Sequence, residues 1–437
     1  MKGEERQGAG NQIIDIISQL YYMGNTKKET LKQRKETHMI NKQIRQFPLL
    51  YVHQHSRLIV GWGAHEMAGV ECKNNGITHA LLITTGLKGT GIIEAVEGVL
   101  KAAGITYTIF NKITSNPKDY EVKEAYKVYA KAKCNGVVSV GGGSSHDAGK
   151  AVRILATNEG ANTNLKNFAT FLDKAPTLKT VNIPQVAINT TSGTGSSGTA
   201  FSIINDSDWV YKLILIVPGV APSVGIDDPL LMRLQPSHMV AWSGFDALCH
   251  AVEPFINRLN FPVAHATGLR AVKLISENLR EAYANPRNDK AIENMAWAQS
   301  IASMSYNMGG SMGMVHGLAH MVSVIKDAHH GLTNAIMCLP VERFNVVGCP
   351  DRFAEIAQAM GVDTRGLTKV QAADRALDEI ERLRNDVGIT NISLKQFKFT
   401  DKDIEHTIKW SLNDISYEGN PRDMTGDDIR KIMKAMM

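Results

Sequence analysis

The chain of 437 residues is 43% hydrophobic and 21% charged, with a formal charge of +5. That length leaves room for two or three domains and for a core that needs no disulfide staples. The positive charge is spread along the chain, which argues against a nucleic-acid surface. No apolar run reaches the roughly 18 residues needed to span a bilayer.

The first 38 residues differ in texture from the rest: one short apolar stretch, then a polar, Lys-rich tail, with Met39 following. The apolar stretch is too short and wrongly flanked for a secretory signal. Residues 1–38 are therefore expected to lie outside the folded core, and the cytoplasm is the expected location. Five cysteines (Cys72, Cys134, Cys249, Cys338, Cys349) are scattered and form no C-x-x-C pair. Each reads as a small buried hydrophobe rather than as a disulfide or thiolate ligand.

From about Leu49 to Val224 short aliphatic runs alternate with helical patterns. "HALLITT" reads as a strand and "GTGIIEAVEGVLKAAG" as a helix. "ITYTIFN" is the next strand, "EVKEAYKVYAKAKC" the next helix, and "GVVSV" a further strand. Alternation at this pitch predicts right-handed βαβ units and a parallel sheet.

"GGGSSHDAGKAVRILAT" then runs a glycine turn into a helix. It is not a Rossmann fingerprint, because His146 stands where the third glycine belongs, and not a Walker A loop, because Ser144 and Ala151 break that pattern. What remains is a strand ending in glycines before the positive end of a helix, a place suited to a pyrophosphate; a tight turn that merely needs glycine is the alternative. "INTTSGTGSSGTAFSIIN" follows, dense in hydroxyls. It offers either an anion or ribose cradle or a flexible loop with local bonds.

From Pro229 onward the pattern is almost wholly helical, with amphipathic stretches such as "HATGLRAVKLISENLREAYA" and "AADRALDEIERLRNDVG". The expected fold is an α/β dinucleotide-binding domain with a parallel sheet (residues 39–226) followed by an all-α metal-binding domain (residues 227–437), enclosing a cleft.

Two apolar helical segments in the second half carry a carboxylate and five imidazoles. Asp246 and His250 stand four apart, so a helix projects both from one face, and His316 and His320 repeat the spacing. His330 follows in an Ala-His-His-Gly corner. An unpaired buried carboxylate is costly, and a bound metal would resolve it.

These pieces in this order resemble the iron-containing (group III) alcohol dehydrogenase family. The resemblance runs from about Phe47 to Met437 and rests on "GGGSSHDAGK", "TTSGTGS", "IDDPLLM", "GFDALCHAVE", "HGLAH", "HHGLTNA" and the "NPR" beginning at Asn420. "ITTGLKGTGIIE", "SNPKDYEV" and "VSVGGGSSHDAGK" are similar to the methanol dehydrogenase branch, which includes nicotinoproteins that hold their cofactor tightly. The resemblance implies the dehydroquinate-synthase-like fold, a homo-oligomer between dimer and decamer, no nucleic-acid or membrane partner, NAD or NADP, and one divalent metal, Fe(II) or Zn.

Carried over position by position, the metal ligands fall on Asp246, His250, His316 and His330. His320 would face the substrate as a proton relay, or else orient a ligand. His329 has no ligand counterpart and is read as lying behind the ligands or in solvent. Cofactor contacts fall on Gly142, Gly143, Ser144, Asp147, Thr190, Thr191 and Thr194, with Asn116 and Lys212. Thr85 stands where NAD-preferring members carry an Asp, which admits NADP. Ser197, Gly198 and Phe201 replace other family residues, and "YNMGGSMGMVH" is one residue longer than the family norm before His316. Trp242, Phe245 and Met314 read as core packing, with narrowing of the substrate pocket as the alternative.

The implied activity is hydride transfer between a short primary alcohol, methanol or ethanol, and NAD(P), with the metal as Lewis acid. A larger alcohol or diol (butanol, propanediol, lactaldehyde) is the alternative within the class. A metal-dependent lyase or hydrolase is the alternative outside it.

Overall fold

Short aliphatic runs bounded by turns become strands when both of their faces can be covered, and helices on either side of a parallel sheet do this. The computed structural model describes residues 55–158, 164–169 and 178–437; residues 1–38 and their expected place outside the core lie beyond this range. Six strands form the parallel sheet: β1 (Arg57–Val60), β2 (His79–Thr84), β3 (Thr106–Phe110), β4 (Gly136–Gly141), β5 (Gln185–Asn189) and β8 (Val224–Asp227). Their order is β1-β8-β5-β4-β2-β3. A separate antiparallel hairpin joins β6 (Ser202–Asp206) to β7 (Tyr211–Leu215), with Asn205 opposite Lys212. This hairpin was not anticipated from sequence.

Strand periodicity sends alternate side chains to opposite cores. On β2, Leu81 and Ile83 pack with Phe110, Val122 and Ala151. Ala80 and Leu82 pack on the other face with Val96, Leu100 and Val138. The crossovers are helices: α1 (Ala68–Asn74), α2 (Ile92–Ala102), α3 (Asp119–Ala132) and α4 (Gly143–Thr157).

The chain runs from β2 outward to β3 and then back across β2 to β4, so the direction of winding reverses between β2 and β4. In open α/β sheets the crevice at the carboxyl ends beside such a reversal is the usual ligand site. Gly141, Asn189 and Asp227 lie in register at the ends of β4, β5 and β8, so the loops that follow start from one edge.

After β8 the chain is helical. Asp228 caps the short α5 (Pro229–Met232), with Pro at its first turn. The long helices are α6 (Ser237–Ile256), α7 (Pro262–Ala284), α8 (Asp289–Ser305), α9 (Met314–Lys326) and α10 (His330–Asn345). They are followed by α11 (Pro350–Ala359), α12 (Lys369–Asp386), α13 (Asp401–Ser411), α14 (Ser416–Gly419) and α15 (Gly426–Lys434). Reciprocal Thr–Gln or Thr–Asp caps open α12, α13 and α15. α6 runs through the middle of the helical core, where Phe245, Leu248, Val252 and Phe255 are fully buried; Met314 is buried there too, and Trp242 packs against its edge.

Between α8 and α9 the segment Tyr306–Gly310 is a π-helical turn, the form in which one extra residue is taken up within a helix. The stretch "YNMGGSMGMVH" begins with this turn. Asn420 of "NPR" then accepts from Met314 N at 3.1 Å, capping the start of α9.

Candidate active site

Four side chains from three helices converge beside the sheet's carboxyl edge. Asp246 and His250 come from α6, His316 from α9 and His330 from the first position of α10. One donor atom from each lies within 4.8 Å of the others. Asp246 Oδ1 is 3.9 Å from His316 Nε2 and 3.7 Å from His330 Nε2, and Asp246 Oδ2 is 3.8 Å from His250 Nδ1. Around a small divalent ion with bonds near 2.1 Å, tetrahedral donors sit about 3.4 Å apart, so the three Asp246 spacings are a few tenths of an ångström wide and the set as a whole, spread over up to 4.8 Å, is looser.

The chemistry of the set fits a cation. Burial pushes the imidazoles of His250 and His316 down to about 4 and that of His330 well below its ordinary value, so all three are neutral, the form that ligates. His250 Nδ1 is buried without a hydrogen-bond partner among the described residues. One carboxylate and three imidazoles suit zinc, iron(II) or a neighbouring divalent ion.

Two further groups hold this cluster and a third holds the imidazole beside it, and none was singled out from sequence. Glu253, one turn past His250 on α6, accepts Gly313 N and His316 N on Oε1 and His316 Nδ1 on Oε2. That bond leaves His316 Nε2 with its lone pair toward the cluster, the usual carboxylate–histidine–metal arrangement. Its signal was present, since positions 246, 250 and 253 share one helix face. Asn334 places Nδ2 2.6 Å from Asp246 Oδ1. Asp414 Oδ2 lies 3.2 Å from His320 Nδ1. His320 stands one turn beyond His316, its ring stacked on that of His330 at 5.2 Å between centroids. His329 is not in open solvent: its ring packs on Trp242 at 5.1 Å.

Two cavities meet at the cluster. The first, about 460 Å³, is lined by Thr85, Gly142, Gly143, Ser144, Thr190, Thr191 and Thr194 from the sheet edge and by Asp246 and His330 from the helices. The second, about 440 Å³, is lined by Asp147, Phe201, Lys212, His250, His316 and His320 among others. Asn116, Gly143, Ser144, Thr194 and His330 border both. Both halves of the chain thus enclose one cleft, and every residue expected at the site lies on it.

The two glycine-rich turns are built against each other. A Cβ on Gly143, the first residue of α4, would come within 2.8 Å of Thr194 Cγ2, so the hydroxyl loop seats directly on the helix N-terminus. Gly195 holds φ +61°, and a Cβ there would lie 2.1 Å from Ser303 Cβ on α8. Tyr306 Oη donates to Thr194 O at 2.7 Å, which ties the π-helical turn to the same loop.

Some of the expected cofactor residues already have protein partners. Asn116, in the left-handed region at φ 54°, donates to Ala328 O at 3.1 Å and accepts from Ser323 Oγ at 3.0 Å. Asp147 Oδ1 accepts from Ser196 Oγ at 2.6 Å and from Lys150 Nζ at 3.3 Å. Burial pushes Lys150 down to about 8 and the Asp147 carboxyl up from its ordinary value. Lys212, carried by β7, is buried with Nζ 3.5 Å from His330 Nδ1. Ser197 donates to Asp227, and Gly198 leaves room for the His55 ring, which accounts for two of the unusual residues after "GTGS". Phe245 and Met314 border neither cavity, in keeping with core packing.

A family model described as iron-containing alcohol dehydrogenase matches residues 55–229, and one described as the C-terminal part of the Fe-containing alcohol dehydrogenase family matches residues 240–437. The chain is 41% identical over 390 residues to the methanol:N,N-dimethyl-4-nitrosoaniline oxidoreductase of Rhodococcus erythropolis, covering 88% of this chain and 89% of that protein. It is 36% identical over 377 residues to the NAD-dependent methanol dehydrogenase of Bacillus methanolicus, covering 86% and 97%. The crystal structure of a 1,3-propanediol oxidoreductase superposes with a TM-score of 0.82 at 34% identity, covering 89% of this chain and all of that one. Among the described residues no helix is long and apolar enough to cross a membrane.

Proposed function

This chain belongs to the iron-containing alcohol dehydrogenase family, and on that premise we propose that it interconverts methanol or another short primary alcohol with its aldehyde. NAD(H) and a divalent metal are the cofactors of the family. The observation that carries the reading is the junction of the two cavities, where ligating side chains of the helical half face the turns of the α/β half across shared lining residues.

In this assignment residues 39–226 bind the dinucleotide and residues 227–437 hold the metal. Asp246, His250, His316 and His330 are the ligands. When bound, the ion supplies Lewis-acid polarisation of the substrate oxygen and the nicotinamide supplies the hydride acceptor or donor.

The chain's own residues supply orientation and proton handling. The N-terminus of α4, with Gly142, Gly143 and Ser144, favours the pyrophosphate through its unpaired amides and dipole. Thr190, Thr191 and Thr194 offer hydroxyls beside it, and Thr85 leaves the ribose end without a carboxylate, which admits either NAD or NADP. Asn116, Asp147 and Lys212 would contact the dinucleotide from the second cavity. Asp414 fixes the proton of His320 on Nδ1, leaving Nε2 to take the hydroxyl proton of the alcohol. Phe201 and Tyr306, edge to face at 5.6 Å, wall the second cavity and exclude water.

The similarity to a 1,3-propanediol oxidoreductase and a cavity of about 440 Å³ favour a second reading within the class, in which a longer alcohol or a diol is the better substrate. One experiment separates the readings. Metals and small molecules released from the purified protein are identified, and methanol, ethanol, butanol and 1,3-propanediol are assayed with and without added NAD or NADP. Alcohol-dependent reduction of the nicotinamide supports the proposal. Metal-dependent hydrolysis or elimination without any dinucleotide would overturn it.

A further inference from the structure

Asn334 lies one turn after His330 on α10 and is completely buried. Its Nδ2 is 2.6 Å from Asp246 Oδ1, 3.0 Å from His316 Nε2 and 3.2 Å from His330 Nε2. A primary amide has two hydrogens to give, and here they face three acceptors. The carboxylate, nearest and charged, takes one of them. The two imidazole nitrogens keep their lone pairs for a cation, so their closeness to Nδ2 marks how near the amide lies to the ligating atoms. The amide thereby ties α10 to the ligating carboxylate on α6 and lies beside the ligating nitrogens of α9 and α10.

The other end of the amide points the same way in its logic. Asn334 Oδ1 is buried and has no hydrogen-bond partner among the described residues. A buried carbonyl left unpaired opposes folding, and residues that break a local rule in this way concentrate at functional sites. An apolar residue of similar shape would serve the fold at least as well. What Leu could not do is donate to Asp246.

The geometry points to Asn334 as a positioning residue of the metal centre. Its amide holds Asp246 Oδ1, so that the cation meets a carboxylate already oriented beside the His316 and His330 nitrogens. The inference rests on the metal reading proposed above and goes beyond the four ligands. Loss of such a supporting hydrogen bond lowers metal affinity by about 10- to 100-fold in comparable sites.

The test uses the full chain and zinc alone. Wild type, Asn334→Leu and Asn334→Ala are loaded with zinc chloride and dialysed; bound zinc is counted, and its transfer to a colorimetric chelator is timed. Circular dichroism checks the fold, and Asn334→Ser serves if the larger changes do not fold. The expected result is a folded Leu variant whose zinc binding weakens by about 10- to 100-fold, with a correspondingly faster transfer. A purely structural role would move the unfolding midpoint and leave zinc retention alone. If wild type and variants hold zinc equally, the role of Asn334 is overturned while the metal reading stands. If wild type takes up no zinc, the metal reading itself falls and this inference with it.

Discussion

His320 Nδ1 and Asp414 Oδ2 lie 3.2 Å apart although 94 residues separate them in the chain. Asp414 is itself held, accepting Ser416 N on Oδ1 at 2.9 Å. The pair aims one imidazole at the cavity without making it a ligand. Replacing His320 by Gln should lower kcat by about 10²- to 10⁴-fold, the usual worth of a proton-transfer residue, while bound metal stays at the wild-type level. Asp414→Asn should give a smaller loss. Metal counting beside steady-state kinetics checks both.

Glu253 is the partner of a ligand rather than a ligand. Gln in its place keeps the shape but presents an amide toward His316, so the tautomer that frees Nε2 is no longer enforced. Glu253→Gln should weaken metal binding by about 10- to 100-fold, measured as residual metal after dialysis against a series of chelator concentrations.

The two glycine turns separate binding from stability. Gly143→Ala pushes a methyl group into Thr194 at the dinucleotide cavity, so the Kd for NAD(H) should rise with little change in Tm. Gly195→Ala meets both a positive φ and the Ser303 side chain. It should destabilise the fold by about 1–3 kcal/mol or more, visible as a lower Tm.

Lys150 gives a pH dependence away from the metal ligands. Burial lowers its folded-state value from 10.5 to about 8, so between those limits the unfolded chain binds the extra proton. Stability relative to a Lys150→Met variant should therefore rise as pH increases from about 8 to about 10.5. Denaturant midpoints of both proteins across that range provide the check, and a difference that stays flat or falls would contradict it.

Strands β2, β3 and β4 were legible because each is followed or preceded by a glycine turn and a clear helical period. The runs "RLIV", "QVAIN" and "VGID" of β1, β5 and β8 carry too few residues, and too little alternation, to stand out alone. The β6–β7 hairpin was hidden because β6 follows a Gly-, Ser- and Thr-rich loop, and such composition reads as turn. At the site, the i, i+4 spacings of Asp246 with His250 and His316 with His320 were visible in one dimension. Asn334 and Asp414 were not, because each reaches its partner across helices that only the tertiary packing brings together. Glu253 lies on the legible face, but nothing in one dimension distinguishes it from an ordinary helical carboxylate.

The central claim is that a cation held by Asp246, His250, His316 and His330 serves alcohol oxidation beside a bound dinucleotide. The most direct test strips divalent ions from the purified protein with a chelator, assays methanol and ethanol oxidation, and then restores zinc or iron(II). The account predicts that activity disappears with the metal and returns with it, while the stripped protein stays folded. Undiminished turnover by protein shown to hold no metal would contradict it.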